Sequence, residues 1–268
     1  MILLPKTPKI INEKDNWGRF EIEGLYPGYG ITIGNALRRV LLSSLEGAAV
    51  TEVKIKGVQH EFATIPGILE DVIRIMMNLK NMRFRMHADE PQRAVLKIKG
   101  EKEVKGDDFD FPSQVELINK NCHIATLTDK KGELEMEIQI EKGIGYEPVE
   151  MRKKKAKTEI GTLLLDAIYN PVKKCSFKVE NMRVGERTDF DRLILEIETD
   201  GSLTPKQALV QATDILIQHF TLIDDTFREK EKKTVKQVKS EEGKKKENKK
   251  QVSSKKESEK KKKSSKKK

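Results

Sequence analysis

Residues 28–46 read GYGITIGNALRRVLLSSLE, three glycines spaced over seven positions that run into an apolar stretch with two adjacent arginines. Leu37, Val40, Leu41 and Leu45 fall on one helical face, and Gly47 stands where a C′ glycine would end a helix. The pattern therefore predicts a helix over 35–46 entered through a glycine turn. Glycines at this spacing also raise the question of a phosphate cradle, and the neighbouring residues argue against one. A P-loop needs Lys-Ser/Thr after its last glycine, whereas Gly34 is followed by Asn35 and Ala36, and the dinucleotide fingerprint needs glycine at 33, where Ile33 stands. The turn is expected to present the helix rather than to hold a ligand.

Working outward, SLTPKQALVQATDILIQHFTLI (202–223) carries a full helix start, with Thr204 as N-cap, Pro205 at the first helical position and Gln207 three residues after the cap. Its apolar residues form two stripes. Leu209, Ala212, Leu216, Phe220 and Ile223 make one, and Ala208, Ile215 and Leu222 the other, so the helix over 204–223 needs two partners. A third helix is predicted from about Pro66 to Lys80, with Glu70 and Asp71 in its first turn and Ile68, Leu69, Val72, Ile73, Met76 and Leu79 at helical spacing. Elsewhere the period is two, in EVKIKGV (52–58), AVLKIKG (94–100), ELEMEIQIEKG (133–143), CSFKVENMRV (175–184) and DRLILEIETDG (191–201). Strands that follow one another without a helix between each pair indicate an α+β protein with antiparallel or mixed sheets.

Charge is distributed unevenly. From Arg228 to Lys268 there are 20 Lys and Arg against 7 Glu, a net of +13, although the whole 268-residue chain carries only +10. Residues 1–227 are therefore close to neutral, and the inference from high pI to nucleic-acid binding applies to the tail alone. With almost no apolar side chains, the tail over 226–268 is expected to be disordered, since it has nothing to offset the entropy of ordering.

Cys122 and Cys175 lie 53 positions apart without a C-x-x-C pair, and the four histidines are scattered, so no metal site is expected. No hydrolase triad can be assembled from spacing, and carboxylates such as those of DFD (108–110) read as solvated groups. No catalytic residue and no cofactor is expected in this chain. Without an apolar run long enough to span a bilayer, and with prolines interrupting the start, it reads as soluble, intracellular and independent of membranes. The paired arginines Arg38 and Arg39 stand out: on most helices they would be a solvated face, but arginine is also a favoured interface anchor.

Four collinear stretches, GNALRRVLLSSLEGAAVTEVKIKGVQHEF, GILEDVIRIMMNLK, IGTLLLDAIYNPV and VENMRVGERTDFDRLILEIETDGSLTPKQAL, resemble the amino-terminal region of the α subunit of bacterial-type DNA-directed RNA polymerase, from about Gly24 to Phe220. The resemblance implies a non-catalytic assembly subunit that homodimerises and scaffolds the β and β′ subunits, which hold the nucleotidyl-transfer site. It implies a discontinuous dimerisation domain of sheet and helices, 1–46 with 173–225, around an inserted mixed or antiparallel β-rich domain, 47–172. The family's grip on the β subunit falls on Arg39 and a large-subunit contact on Lys80. Leu42 and Ser43 share Arg39's side of the helix. Leu37, Leu41, Leu209, Leu216 and Phe220 are the residues expected at the dimer interface.

Two stretches depart from the family. A lysine-rich tail stands where the family continues into a DNA-binding carboxy-terminal domain, so promoter recognition is not carried over, and the tail is expected to touch DNA without sequence preference. EKGIGYEPVE differs from the family's R-G-x-G-Y pattern, though Gly145 and Tyr146 are kept, and no role is carried over for it. The rival reading is a nucleic-acid-binding chaperone or ribosome-associated protein acting through its tail. The expected location is the cytoplasm, associated with the nucleoid, or a plastid stroma.

Overall fold

The computed structural model describes residues 2, 4–153 and 161–228. In chain order the elements are β1 (Lys9–Lys14), β2 (Trp17–Leu25), α1 (Tyr29–Ser43), β3 (Glu46–Ile55), α2 (Val72–Lys80), β4 (Phe84–Met86), β5 (Gln92–Lys99), β6 (Lys102–Lys105) and β7 (Val115–Leu117). They continue with β8 (His123–Leu127), β9 (Glu133–Ile144), β10 (Tyr146–Glu147), α3 (Val149–Lys153), β11 (Thr162–Leu164), β12 (Ala167–Ile168), β13 (Val172–Val184) and β14 (Arg187–Thr199). Residues 205–228 form helix α4. Two packed units are distinguished, Met1–Asp214 and the segment from Ile215 onward, of which 215–228 are described.

The first unit holds two principal sheets. One has the order β1-β2-β14-β13 and joins the start of the chain to residues 172–199, while the other, β5-β9-β3-β4-β7 with β11 against β3, is built from residues 46–164. Among the described residues every strand pairing is antiparallel, so the α+β reading holds. Alternation explains β9: Leu134, Met136, Ile138 and Ile140 point into the core with Val72, Ile75 and Leu79 of α2, each such burial contributing about 1.5–3 kcal/mol. The outward Glu133, Glu135 and Glu137 meet Lys99, Lys97 and Arg93 of β5 at 3.3, 2.9 and 3.0 Å. β3 begins at Glu46, earlier than alternation indicates, because Ala48–Thr51 are all buried and show no period of two.

Helix boundaries differ from expectation in instructive ways. The helix expected over 35–46 runs instead from Tyr29 to Ser43, and Gly30 and Gly34 lie inside it. They are there because α1 presses on the four-stranded sheet: a Cβ on Gly30 would sit 2.8 Å from Val179, and one on Gly34 2.7 Å from Phe177. Gly47 is no helix cap but a residue of β3, where a Cβ would lie 1.8 Å from the Tyr169 carbonyl oxygen. The helix expected from Pro66 starts at Val72, since the preceding segment is spent on β8. Leu69 N–H donates to Thr126 O at 3.0 Å, Thr128 N–H to Gly67 O at 2.9 Å, and Glu70 accepts from Thr126 N–H at 2.6 Å. Asp71 then caps α2 by accepting from Arg74 N–H at 2.7 Å. The box on α4 is present as read, with Gln207 N–H donating to Thr204 Oγ1 at 3.2 Å and Thr204 N–H to Gln207 Oε1 at 3.0 Å. α4 continues to 228, past the expected end at 223.

Candidate partner-binding surface

Gly28 adopts φ +86° as the N-cap of α1, a left-handed turn that suits glycine. No side chain of the turn caps the helix. The N–H groups of Gly28 and Gly30 both donate instead to Asp191 Oδ2, at 2.9 Å each, from the adjacent strand β14. The Asp191 side chain is buried, so the positive end of α1 already holds an anion, the chain's own carboxylate. An incoming phosphate would meet a filled site of its own sign.

The other end of α1 faces solvent. Arg38, Arg39, Leu42 and Ser43 are all exposed, but they are not equivalent. The Arg38 guanidinium lies 5.5 Å from the Phe177 ring centroid and donates to Asn35 Oδ1 at 3.0 Å, so it is occupied within the chain. Arg39 has no side-chain partner among the described residues. The Ser43 hydroxyl turns back into its helix, donating to Arg39 O at 2.8 Å, which leaves Arg39 and Leu42 as the outward groups.

Lys80, at the end of α2, is held differently from Arg39: its Nζ lies 2.7 Å from Asp166 Oδ2. Asp166 also accepts from Val149 N–H at 3.0 Å. Its carboxyl is held below the ordinary range, first by Lys80. The two-stranded β10–β12 ribbon, which pairs Tyr146 with Ile168, joins this cluster to α1. Asn170, two residues past the ribbon, donates from Nδ2 to Leu42 O at 2.9 Å, and Gly145 lies against Ser43 O. Arg39, Leu42, Ser43 and Lys80 thus belong to one connected surface, linked by Asp166, the β10–β12 ribbon and Asn170. Sequence reasoning did not single out Asp166 or Asn170, and the kept Gly145-Tyr146 pair was the one available pointer.

The expected dimer residues divide. Leu37 and Leu41 are 5% and 0% exposed within this single chain, which corrects their assignment to an interface: they pack inward beneath α1 and have no side-chain surface to offer. Leu209 and Leu216 are half-buried, and Phe220 is exposed. Within the second unit Ile217, Phe220, Leu222, Ile223 and Phe227 all present apolar surface. Ala208 and Ala212, in the first unit, are fully buried.

Among the described residues no group of three or more His, Cys, Asp and Glu side chains converges as a metal site would, and no helix is long and apolar enough to cross a membrane. Burial pushes both thiols up, Cys175 to about 11, which disfavours the reactive thiolate. The lysine-rich segment proposed to touch DNA lies from 229 onward, outside the described residues.

The family described as the RNA polymerase Rpb3/RpoA insert domain has a model that matches residues 53–170. The DNA-directed RNA polymerase subunit alpha of Roseiflexus sp. (strain RS-1) is 46% identical over 224 residues, 84% of this chain and 68% of that protein. The proteins of the same name from Carboxydothermus hydrogenoformans and Aquifex aeolicus are 47% and 46% identical, each over 81% of this chain and over 69% and 68% of their own lengths. These matches favour the assembly-subunit reading over a chaperone or ribosome-associated protein.

Proposed function

This chain belongs to the family of α subunits of DNA-directed RNA polymerase, and from that premise we propose that it acts as a homodimeric scaffold gripping the large β and β′ subunits. As an α subunit it is part of a nucleotidyltransferase complex. Its own role is assembly, with the chemistry and any cofactor belonging to the large subunits. The observation that carries this reading is the exposed Arg39, unpaired among the described residues and set beside Leu42 on α1. A guanidinium free on the surface is available for a partner's carboxylate or carbonyl groups, and Leu42 adds apolar area next to it. Arg39 and Leu42 are the direct β-subunit contacts. Ser43 and Lys80 support the same surface through hydrogen bonds inside the chain.

The dimer is proposed to form through the apolar surface of α4, with Phe220 at its centre and Leu209 and Leu216 beside it. Residues 1–46 with 173–225 make the dimerisation domain and 47–172 the insert. This agrees with the four-stranded sheet drawing on residues 9–25 and 172–199 while the larger sheet uses 46–164. The chain works where the polymerase works, in the cytoplasm with the nucleoid, or in the stroma for a plastid source. Its lysine tail adds contact with DNA that reads charge and not sequence.

Purifying the full-length tagged chain from its native cell tests the scaffold role. Two copies of the chain should be recovered with two very large polypeptides. Recovery alone, or with ribosomal proteins only, would refute it.

A further inference from the structure

Between the described elements the chain passes from one principal sheet to the other twice, after α1 and again before β13. The two crossings lie side by side, since Asn170 of the second donates from Nδ2 to Leu42 O at the end of α1. The apolar core of the larger sheet runs from Ala48 to Leu165 and, among the described residues, takes in no side chain from the four-stranded sheet. Parts joined by neighbouring crossings and separate cores turn against each other unless a further contact holds them.

The turn between β14 and α4 makes that contact. Gly201, at φ +98°, brings its backbone against the larger sheet, where a Cβ would lie 3.1 Å from Ile118, just past β7. Two arginines reach across beside it. Arg85 of β4 donates from Nε to Ser202 O at 3.0 Å and from Nη2 to Gly201 O at 3.4 Å, while its Nη1 donates to Glu116 Oε2 of β7 at 3.0 Å. One guanidinium thus binds both sides. Arg83, between α2 and β4, donates from Nη1 to Lys80 O at 2.8 Å and to Met82 O at 3.0 Å, and its Nε lies 3.6 Å from Asp200 Oδ2.

The turn itself is tightly built. Asp200 Oδ1 accepts from Ser202 N–H at 2.9 Å and from Ser202 Oγ at 2.6 Å, while Asp200 N–H donates to Pro171 O at 2.9 Å and Thr199 N–H to Asn16 O at 2.7 Å. One carboxylate oxygen shapes the turn, and the other faces Arg83. With only 6% of the Asp200 side chain exposed, Arg83 stands where water would otherwise solvate the charge.

We propose that residues 200–202, gripped by Arg83 and Arg85, are a latch that fixes the angle between the two sheets, and that its loss frees them to turn about the paired crossings. Closed, the latch holds α1, which packs on the four-stranded sheet, and α2, which packs on the larger one, at a single separation. Arg83 bonds the carbonyl of Lys80 directly, so on the scaffold reading the latch also fixes the spacing of Lys80 from Arg39.

Electron–electron distance measurement in the full-length chain tests the latch. Nitroxides on Glu101→Cys and Glu186→Cys, both exposed, report between the sheets, and a control pair on Glu101→Cys and Glu61→Cys reports within the segment 46–164 that builds the larger one. Every labelled chain also carries Cys122→Ser and Cys175→Ser, and excess unlabelled chain keeps each spin pair within one molecule. The latch variants are Asp200→Asn, Arg85→Ala and the two combined. Asparagine keeps an oxygen for Ser202 but removes the charge facing Arg83, and the Arg85 side chain is 43% exposed, so its truncation spares the fold. Thermal melts accompany each variant.

The wild type should give one narrow distance between the sheets, and the combined variant should broaden it by about twofold or more with the control pair unchanged. Each single variant should broaden it less. A folded combined variant with the wild-type width overturns the latch, as do two folded single variants of wild-type width if the combined one fails to fold. Equal broadening of the control pair would mean a loosened sheet and not a freed angle, and also overturns it. No partner enters the measurement, so the latch can fail while the scaffold reading stands, and the reverse.

Discussion

Replacing Asp191 isolates the device that begins α1. Its Oδ2 accepts from two backbone N–H groups at 2.9 Å each, at a helix N-terminus, with 6% of the residue exposed. Asp191→Ala leaves the buried Gly30 N–H without an acceptor, at about 1–3 kcal/mol, hands the N–H of exposed Gly28 to water, and removes the helix-end interaction, worth roughly 0.3–2 kcal/mol. The expected loss is therefore about 1–5 kcal/mol, a large share of the 5–15 kcal/mol of a typical domain. Asp191→Asn keeps an accepting oxygen and discards only the charge, so about 1–2 kcal/mol is expected. Urea denaturation of the full-length chain followed by circular dichroism measures both, and formate, which matches the missing group, should restore part of the Ala variant's stability. An Asp191→Ala midpoint equal to wild type would refute the reasoning. So would stabilisation of the wild type by phosphate, because it would mean the helix end is open to external anions.

Arg39→Ala should change folding stability by no more than about 0.5 kcal/mol, as the side chain is exposed and unpaired among the described residues. It should weaken β capture by roughly thirty-fold, about 2 kcal/mol. Arg38→Ala is the control, with a lowered melting temperature from loss of the Phe177 contact and little change in capture. Leu216→Glu with Phe220→Glu should give monomers or insoluble chain, because each apolar side chain removed from an interface forfeits about 1.5–3 kcal/mol; a folded dimer by sedimentation would rule out α4 as the interface. Glu135 is held down to about 2 from 4.5, first by Lys97 and then by Lys56. A carboxyl depressed by folding contributes fully above the unfolded value and loses that contribution as pH falls, so Glu135→Gln should flatten the acid dependence of stability between about 4.5 and 2; an unchanged acid limb would remove the ladder from the stability account. Binding of random duplex DNA by the full chain should fall steeply with salt and fall with deletion of 229–268, and strong preference for one sequence would contradict a purely electrostatic tail.

What was legible in the sequence was what local chemistry decides. The period of two in ELEMEIQIEKG produced β9 because its two faces meet different surroundings, and Thr204 with Gln207 started α4 because a capping box is complete within four residues. The errors arose where a distant part of the chain overrides a local preference. Gly30 and Gly34 look like a turn, since each costs a helix about 1 kcal/mol relative to alanine. Their true neighbours, Val179 and Phe177, lie nearly 150 residues away, and only that contact shows why a helix must be smooth there. Residues 66–70 have the spacing of a helix but serve β8 instead.

The same division runs through the candidate surface. Arg38 and Arg39 are adjacent and chemically identical, and resemblance, not local pattern, favoured Arg39. What separates them physically is the sheet beneath α1, which supplies Phe177 to one and nothing to the other. Lys80 shows the converse. Its position matched a contact residue of the family, yet Asp166, 86 positions later, pairs with its charge inside the chain. The glycine turn follows the same logic. Spacing alone argued that no phosphate binds there, but the physical reason is Asp191, a carboxylate more than 160 positions away that occupies the helix end the glycines expose.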